Sequence, residues 1–258
     1  MNIFIVYAHP EPRSLNGSLK DVAVNFLRSS GHEVIVSDLY AMSWKTAADR
    51  NDFTRHNSDQ RLFYMYASAQ AYHHGTQSND IEKEQEKLLW ADVVIFQFPF
   101  WWFGMPAILK GWFDRVFACG FAYGVGQYDK KNYGNRYGEG TFKGKKGLLS
   151  VTIGGRKHQY DQRGINGPID DLLFPIHHGM LWYAGMSVLP PFIVYQADKT
   201  SEKQFENYKL QYQERLSRLR AAQPIPFRYQ NNGDYNHRQQ LKRKFVNGES
   251  GFSLHVEE

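Results

Sequence analysis

Three stretches of this sequence set chemistry-bearing residues where loops leave apolar strands. The first, AHPEPRSLNGS at 8–18, gathers His9, Arg13, Ser14, Asn16 and Ser18 at the start of a helical stretch. Free N–H groups at a helix start favour an anion, and hydroxyl and amide side chains add hydrogen bonds to it. Capping by Ser14 or Asn16 alone would need one such residue; this loop offers several. The second stretch, FPFWWFGMP at 98–106, places Phe100, Trp101, Trp102 and Phe103 beside two prolines and a glycine. Loops run over the surface, so these rings require an apolar partner: a planar cofactor, a subunit interface, or the core beneath a buried loop. The third, TIGG at 152–155, is followed by Tyr160. Paired glycines let a backbone edge approach a flat ligand, or make a plain turn, and Tyr160 is a donor to charge developing on a reduced ring.

Other chemistries lack their residues. There is no GxGxxG, P-loop, HExxH, CxxC or GxSxG pattern. His177 and His178 are adjacent, and helical neighbours point about 100° apart, so they do not chelate one ion easily. His73 and His74 have no carboxylate nearby in sequence, and no metal is expected.

Stepping from the loops to the elements that position them, IFIVY at 3–7 reads as a buried central strand. Leu19, Val22, Ala23, Phe26 and Leu27 follow with helical spacing, Gly31 ends that helix, and EVIVS at 33–37 is a second strand. Residues 41–79 read as a long irregular connection with one short helix at most. Asn79 or Asp80 caps a helix through Leu89, DVVIFQF at 92–98 is the third strand, and a helix starts near Pro106. A glycine-rich loop covers 130–145, GLLSVT at 147–152 is the fourth strand, and a helix spans 168–183. A last strand lies within 186–195, and 201–220 forms a final helix. Alternating strands and helices make an α/β chain with a five-stranded parallel sheet, doubly wound in the flavodoxin-like order 2-1-3-4-5. In such a sheet ligands bind beyond the carboxyl ends of the strands, where all three loops meet. Residues 1–224 read as the domain, and the polar stretch 225–258 as a C-terminal extension packing on the domain or on a dimer partner.

Composition narrows the class further. The chain has 258 residues, 22% of them charged, as in ordinary globular proteins, but aromatic residues reach 16%, more than a core alone uses. The one cysteine, Cys119, flanked by Phe117 and Phe121, excludes an intrachain disulfide and reads as a buried structural thiol. The start MNIFIVYAHP has no secretory pattern, and the most apolar stretch, 93–109, is broken by Gln97, Pro99 and Pro106. A cytoplasmic protein without a membrane span is expected. The net charge of +5 is scattered except for Arg238, Lys242, Arg243 and Lys244. That cluster is either a solvated face or a contact to a dinucleotide phosphate. Nucleic-acid patterns are missing, so no nucleic-acid partner is expected.

IVYAHPEPRSLNGSLKDVAV at 5–24, VSDLYAM at 36–42, ADVVIFQFPFWWFGMPAILKGWFDRVF at 91–117, GFAYGVGQYD at 120–129 and LLSVTIGG with Tyr160 carry a resemblance. The chain resembles the NAD(P)H:quinone oxidoreductases, flavodoxin-like enzymes also called DT-diaphorases, over most of its first 227 residues. The resemblance implies a non-covalent flavin, FAD with FMN as the alternative, and a homodimer whose partner completes each pocket. By match, His9, Leu15 and Asn16 hold the phosphate and adenosine side. Phe100, Trp101, Trp102 and Phe103 lie along the flavin, and Thr152, Ile153, Gly154 and Gly155 meet its ring edge. Tyr160 steadies the reduced flavin, paired with Asn166 where some members have histidine. Ala122, Tyr123, Gly124 and Tyr183 line the substrate pocket. His74 and Phe205 stand where members have a cofactor-touching glutamine and an arginine near the adenine.

The activity so implied is a two-electron, ping-pong reduction. NAD(P)H as co-substrate gives hydride to flavin N5, leaves, and a quinone or similar flat electrophile takes its place. Rival readings are an azo- or nitro-reductase, a regulatory ancillary flavoprotein subunit of a potassium efflux system, and an electron carrier.

Overall fold

The computed structural model describes residues 1–55, 59–129, 133–245 and 250–257. The first residues of the expected glycine-rich loop, 130–132, lie outside them. Five parallel sheet positions carry the fold. β1 (Asn2–Tyr7) lies between β2 (Glu33–Asp38) and β3 (Val93–Pro99), and β4 (Lys146–Ile153) adds beyond β3, giving β2-β1-β3-β4. The next position is split rather than the single strand expected: β5 (Ser187–Val188) and β6 (Phe192–Tyr195) both pair with β4. Pro190 and Pro191 lie between them and have no N–H to donate, so the ladder breaks there and resumes. The sheet thus has six strands in five positions.

Helices cover both faces. α1 (Leu15–Ser29) and α6 (Glu202–Ser217) cover one, where Leu19, Ala23 and Leu27 meet Ile3, Ile5 and Ile95. α3 (Asn79–Trp90), α4 (Ala107–Val116) and α5 (Ile169–Ile176) cover the other, over Phe4, Phe96 and Val151. The N-cap of α3 is Ser78, not Asn79 or Asp80. The connection before it holds an eleven-residue helix, α2 (Tyr64–His74), ended by Gly75 in the left-handed region at φ 60°. The single helix expected over 168–183 instead ends at Ile176 and continues as a π turn over His177–Trp182. Pro175 inside it removes an i to i−4 bond, and the widened turn follows. Cys119 is half-buried rather than buried, and desolvation pushes its thiol up in pKa, so it stays protonated.

Polar groups inside the second layer are tightly answered. Asp52, fully buried, accepts from Arg115 Nε at 2.9 Å, Lys45 Nζ at 2.8 Å and Tyr64 Oη at 3.0 Å. Arg115 also pairs with Asp80 at 2.7 Å. Nearby, buried Glu84 accepts from Trp112 Nε1 at 2.8 Å and Ser37 Oγ at 3.0 Å. The C-terminal extension folds back on the same side: Phe252 stacks on Phe174 of α5, and Phe227 bridges to Val256. None of the helices among the described residues is long and apolar enough to cross a membrane.

Candidate active site

The loops after β1, β3 and β4 converge at the carboxyl ends of the strands, and a buried amide chain ties them. Asn16 Nδ2 donates to Thr152 Oγ1 at 2.7 Å, and Gln97 Nε2 donates to Asn16 Oδ1 at 2.8 Å. Phe100 N–H donates to the Thr152 carbonyl at 2.8 Å, and Ala8 N–H to the Gln97 carbonyl at 3.0 Å. Asn16 therefore spends its side chain on spacing the loops. At the start of α1, Ser14 Oγ accepts from Gly17 N–H, while the Leu15 and Asn16 amides find no acceptor among the described residues. Two free N–H groups at a helix start suit an anionic group. His9 stands beside them, its Nδ1 accepting from Glu11 N–H at 3.1 Å and its ring 5.9 Å from Trp101.

The loop after β3 is a tight turn in which Gly104 N–H donates to the Trp101 carbonyl. Its two central residues, Trp102 at φ 50° and Phe103 at φ 60°, lie in the left-handed region. Asn and Gly normally fill such positions, and a side chain there costs about 1–2 kcal/mol. The backbone strain holds rings outward: Trp102 is 97% exposed, Trp101 43% and Phe103 51%, while Phe100 is buried. A local rule broken this way twice in a row marks a surface that something else covers.

Across from the turn, β4 runs into Gly154 and Gly155. A Cβ on Gly155 would lie 2.8 Å from Tyr160 Cε2 and 3.0 Å from its hydroxyl, so only glycine lets Tyr160 lie against the chain here. Gly154 is exposed, and a Cβ built on it would meet only Asp198 Oδ2, at 3.0 Å, among the described residues. Tyr160 is nearly buried, with its ring 5.8 Å from that of Tyr195. Asn166 N–H donates to the Gln159 carbonyl, which closes the 159–166 loop and brings Asn166 back toward Tyr160. Free helix amides, outward rings and a glycine edge on one sheet end fit a planar group with a phosphate tail.

Ala122, Tyr123 and Tyr183 come together elsewhere, on a cavity of about 320 Å³ between α4, the π turn and Tyr64 of α2. Gly124 adjoins it at φ 69°, where a Cβ would lie 2.7 Å from Cys119 Sγ. Burial, then Cys119 and Tyr183, push the Tyr123 hydroxyl up in pKa, so it keeps its proton. Neither the aromatic turn nor Tyr160 lines this cavity. Within one chain, then, the structure assembles two groups of expected site residues and leaves them apart. Two contributors escaped the sequence reading. Gln97 had a signal, as the one amide in an apolar strand; Tyr64 had none, because its place depends on Asp52, far off in sequence. Among the described residues no group of three His, Cys, Asp or Glu is placed to hold a metal ion.

Comparison with known proteins agrees with this geometry. Residues 1–216 match a family model described as a flavodoxin-like fold. A ribosyldihydronicotinamide dehydrogenase-like protein of Penicillium crustosum is 50% identical over 258 residues, 99% of this chain and 96% of its own. NAD(P)H dehydrogenase (quinone) 1 of Rattus norvegicus is 46% identical over 197 residues, 76% of this chain and 69% of its own. A crystal structure from Klebsiella pneumoniae, assigned as a quinone reductase, is 54% identical with a TM-score of 0.97, over 99% of both chains.

Proposed function

The chain belongs to the flavodoxin-like family that includes the NAD(P)H dehydrogenases (quinone), and from that premise we propose that it reduces quinones with NAD(P)H through a bound flavin. The observation that carries the reading is the strained aromatic turn standing opposite the Gly154–Gly155 edge. When bound, the flavin supplies the two-electron relay between dinucleotide and quinone.

The protein's own residues do the rest. The Leu15 and Asn16 amides hold the phosphate, with His9 beside them, and the Asn16–Thr152–Gln97 bonds fix how far apart the three loops stand. Trp101, Trp102 and Phe103 offer flat apolar faces and keep water off the reacting plane, while Phe100 anchors the turn. Backbone of Thr152 to Gly155 meets the ring edge. The Tyr160 hydroxyl donates toward that edge, where it steadies negative charge, and the Asn166 amide assists. Ala122, Tyr123, Gly124 and Tyr183 form the wall of the quinone site. That wall and the aromatic turn are apart in one chain, so we assign a homodimer in which each wall closes the other chain's turn. Exposed Phe63, Met65 and Tyr66 add to the apolar surface such a partner would cover. FAD rather than FMN, a cytoplasmic setting, and an extension beginning at 225 belong to the same reading.

The test is direct. Flavin released from the purified protein is identified by mass, and oxidation of NADH, NADPH and ribosyldihydronicotinamide is followed with and without benzoquinone. FAD, quinone-dependent turnover and parallel double-reciprocal lines are expected. Protein that binds no flavin and oxidises none of the three donors removes the reading, and protein that binds flavin but oxidises none of them returns the regulatory-subunit alternative.

A further inference from the structure

The C-terminal extension does not simply coat the domain. It closes a second cavity, of about 300 Å³, against α5 and the π turn, on residues that the proposed quinone reduction does not use. That volume is at the lower end of small-molecule sites. The extension is pinned around it: Arg228 N–H donates to the His255 carbonyl at 2.9 Å, and Glu257 N–H to the Pro226 carbonyl at 2.7 Å. Protein interiors seldom leave room of this size between segments so firmly tied.

The walls are planar. Phe174 is stacked on His178 at 4.5 Å and 16°, and on Phe252 at 4.5 Å and 9°. Tyr235 faces His255 at 14°. Phe252 is half-exposed, so one side of the seam opens to solvent. These rings cover one another's faces and leave an aromatic rim around the cavity, an apolar lining suited to an aromatic guest.

The polar lining is neutral. Burial depresses the pKa of His178 to about 4 and lowers that of His255, so both imidazoles are uncharged near neutral pH. Their rings stand 5.5 Å apart. A neutral imidazole presents one donor and one acceptor. His255 Nδ1 is engaged with the Tyr235 hydroxyl at 2.9 Å; His178 has ring contacts but no hydrogen-bond partner among the described residues. Arg228 is the one lysine or arginine on the lining, and it is spent: Nη1 donates to Asp234 Oδ2 and Nε to the Leu254 carbonyl, each at 3.0 Å. Arg136, behind the lining, packs on Tyr137 and donates through Nε to Gln230, so among the described lining residues no cation is left facing the cavity without a partner.

We propose that this seam is a second ligand site, taking a small planar aromatic molecule with an uncharged hydroxyl group, a phenol. Its ring lies among Phe174, Phe252 and Tyr137, and its hydroxyl meets the histidine pair, giving and accepting a hydrogen bond at once. Tyr137 joins the seam to the proposed quinone wall, with its ring 4.9 Å from His178 on one side and 5.1 Å from Tyr183 on the other.

The experiment titrates the purified protein, with whatever flavin it carries, with 2-naphthol and with 2-naphthoate by calorimetry at neutral pH. It repeats both for His178→Phe, Phe252→Ala and Trp102→Gly, and soaks wild-type crystals with 2-naphthol. A saturable 2-naphthol event is expected that His178→Phe weakens about tenfold, near the worth of a hydrogen bond left unmade. Phe252→Ala weakens it too, Trp102→Gly leaves it intact, and density appears in the seam. Equal binding by a His178→Phe protein that melts like wild type overturns the proposal, as does 2-naphthoate binding as tightly as 2-naphthol. Should that variant not fold, the crystal decides: density only outside the seam, or none, overturns it. None of these outcomes touches the flavin or the turnover assay, so the two readings fail separately.

Discussion

Two regions of this molecule break the usual division between inside and outside, in opposite directions. Beneath α4, charges are buried: Asp52 and Arg115 are almost wholly removed from water. On the turn after β3, large apolar rings are exposed, Trp102 almost completely. The buried charges are answered within the chain by Arg115, Lys45, Tyr64 and Asp80. The exposed rings meet only His9 and Phe100 at their margins among the described residues, and two of the three sit on strained backbone. The contrast teaches where the chain is complete by itself and where it waits for a ligand or partner. Buried charge here is finished structure, and the exposed aromatic surface is where the proposed site lies.

The largest effect should come from breaking the completed region. Asp52→Ala leaves Arg115 buried with half its charge unanswered, and removing one partner of a buried pair costs about 3–5 kcal/mol. Urea unfolding measures it. Arg115→Met should cost a similar amount, and the double variant Asp52→Leu/Arg115→Met less than the sum, because no lone charge is left behind. A loss below about 1 kcal/mol for Asp52→Ala would mean that the network is decoration, and the contrast would collapse.

This network also shows what the sequence could not tell. Asp52 and Arg115 are 63 residues apart, and a long-range ion pair has no local signature. The strands and α1 were legible because IFIVY and the Leu19–Ala23–Leu27 spacing are imposed by burial itself. α2 was not, because Phe63, Met65 and Tyr66 face outward and blur the apolar stripe that marks a helix. The loops of the candidate site stand out in the sequence as composition: too many rings and too many glycines for plain connections. That the rings ride on a left-handed backbone was not, since Trp and Phe have no preference for that region. The breaks at Pro175 and Pro190–Pro191 had their signal in plain view, but proline announces a break without saying what replaces it.

A second test sharpens the comparison with acid. His177 is buried without an answer: its Nε2 has no partner, and desolvation lowers its pKa from 6.5 to about 3. Above pH 6.5 the group is neutral in both native and unfolded chains and exacts no penalty. As pH falls from there toward 3, the unfolded chain binds a proton that the native chain refuses, so stability declines and then levels. Asp80 behaves differently. Desolvation raises its pKa, but hydrogen bonds from Arg115 and Ser78 outweigh this and lower it, so Asp80 stays ionised until more acidic pH. Acid should therefore weaken the protein first through the unanswered histidine. His177→Leu is expected to flatten the fall in stability between pH 6.5 and 4 by about 3 kcal/mol. An unchanged slope in denaturant melts over that range would place the acid sensitivity elsewhere, with His178 and His255, whose pKa values burial also lowers, next in line.

The smallest effect on stability comes from the strained turn, and it is the most telling. Trp102→Gly replaces a left-handed tryptophan, at φ 50°, with the one residue that occupies that region freely. Nothing among the described residues covers this side chain, so little packing is lost with it. The variant should therefore be more stable than wild type by about 1 kcal/mol, seen as a rise of a few degrees in melting temperature. Quinone turnover should move the other way, because the flat face is gone while the fold is improved. Phe103→Gly, half-exposed in the same turn, should show the same opposition with more of the gain offset by lost contact with Phe100. A variant that is both more stable and equally active would mean that the strain serves neither cofactor nor substrate. A variant that is less stable would mean that the turn is held by contacts within the chain, and then the outward rings belong with the buried charges as finished structure. Gain in one measurement against loss in the other is what a surface built for a partner must show.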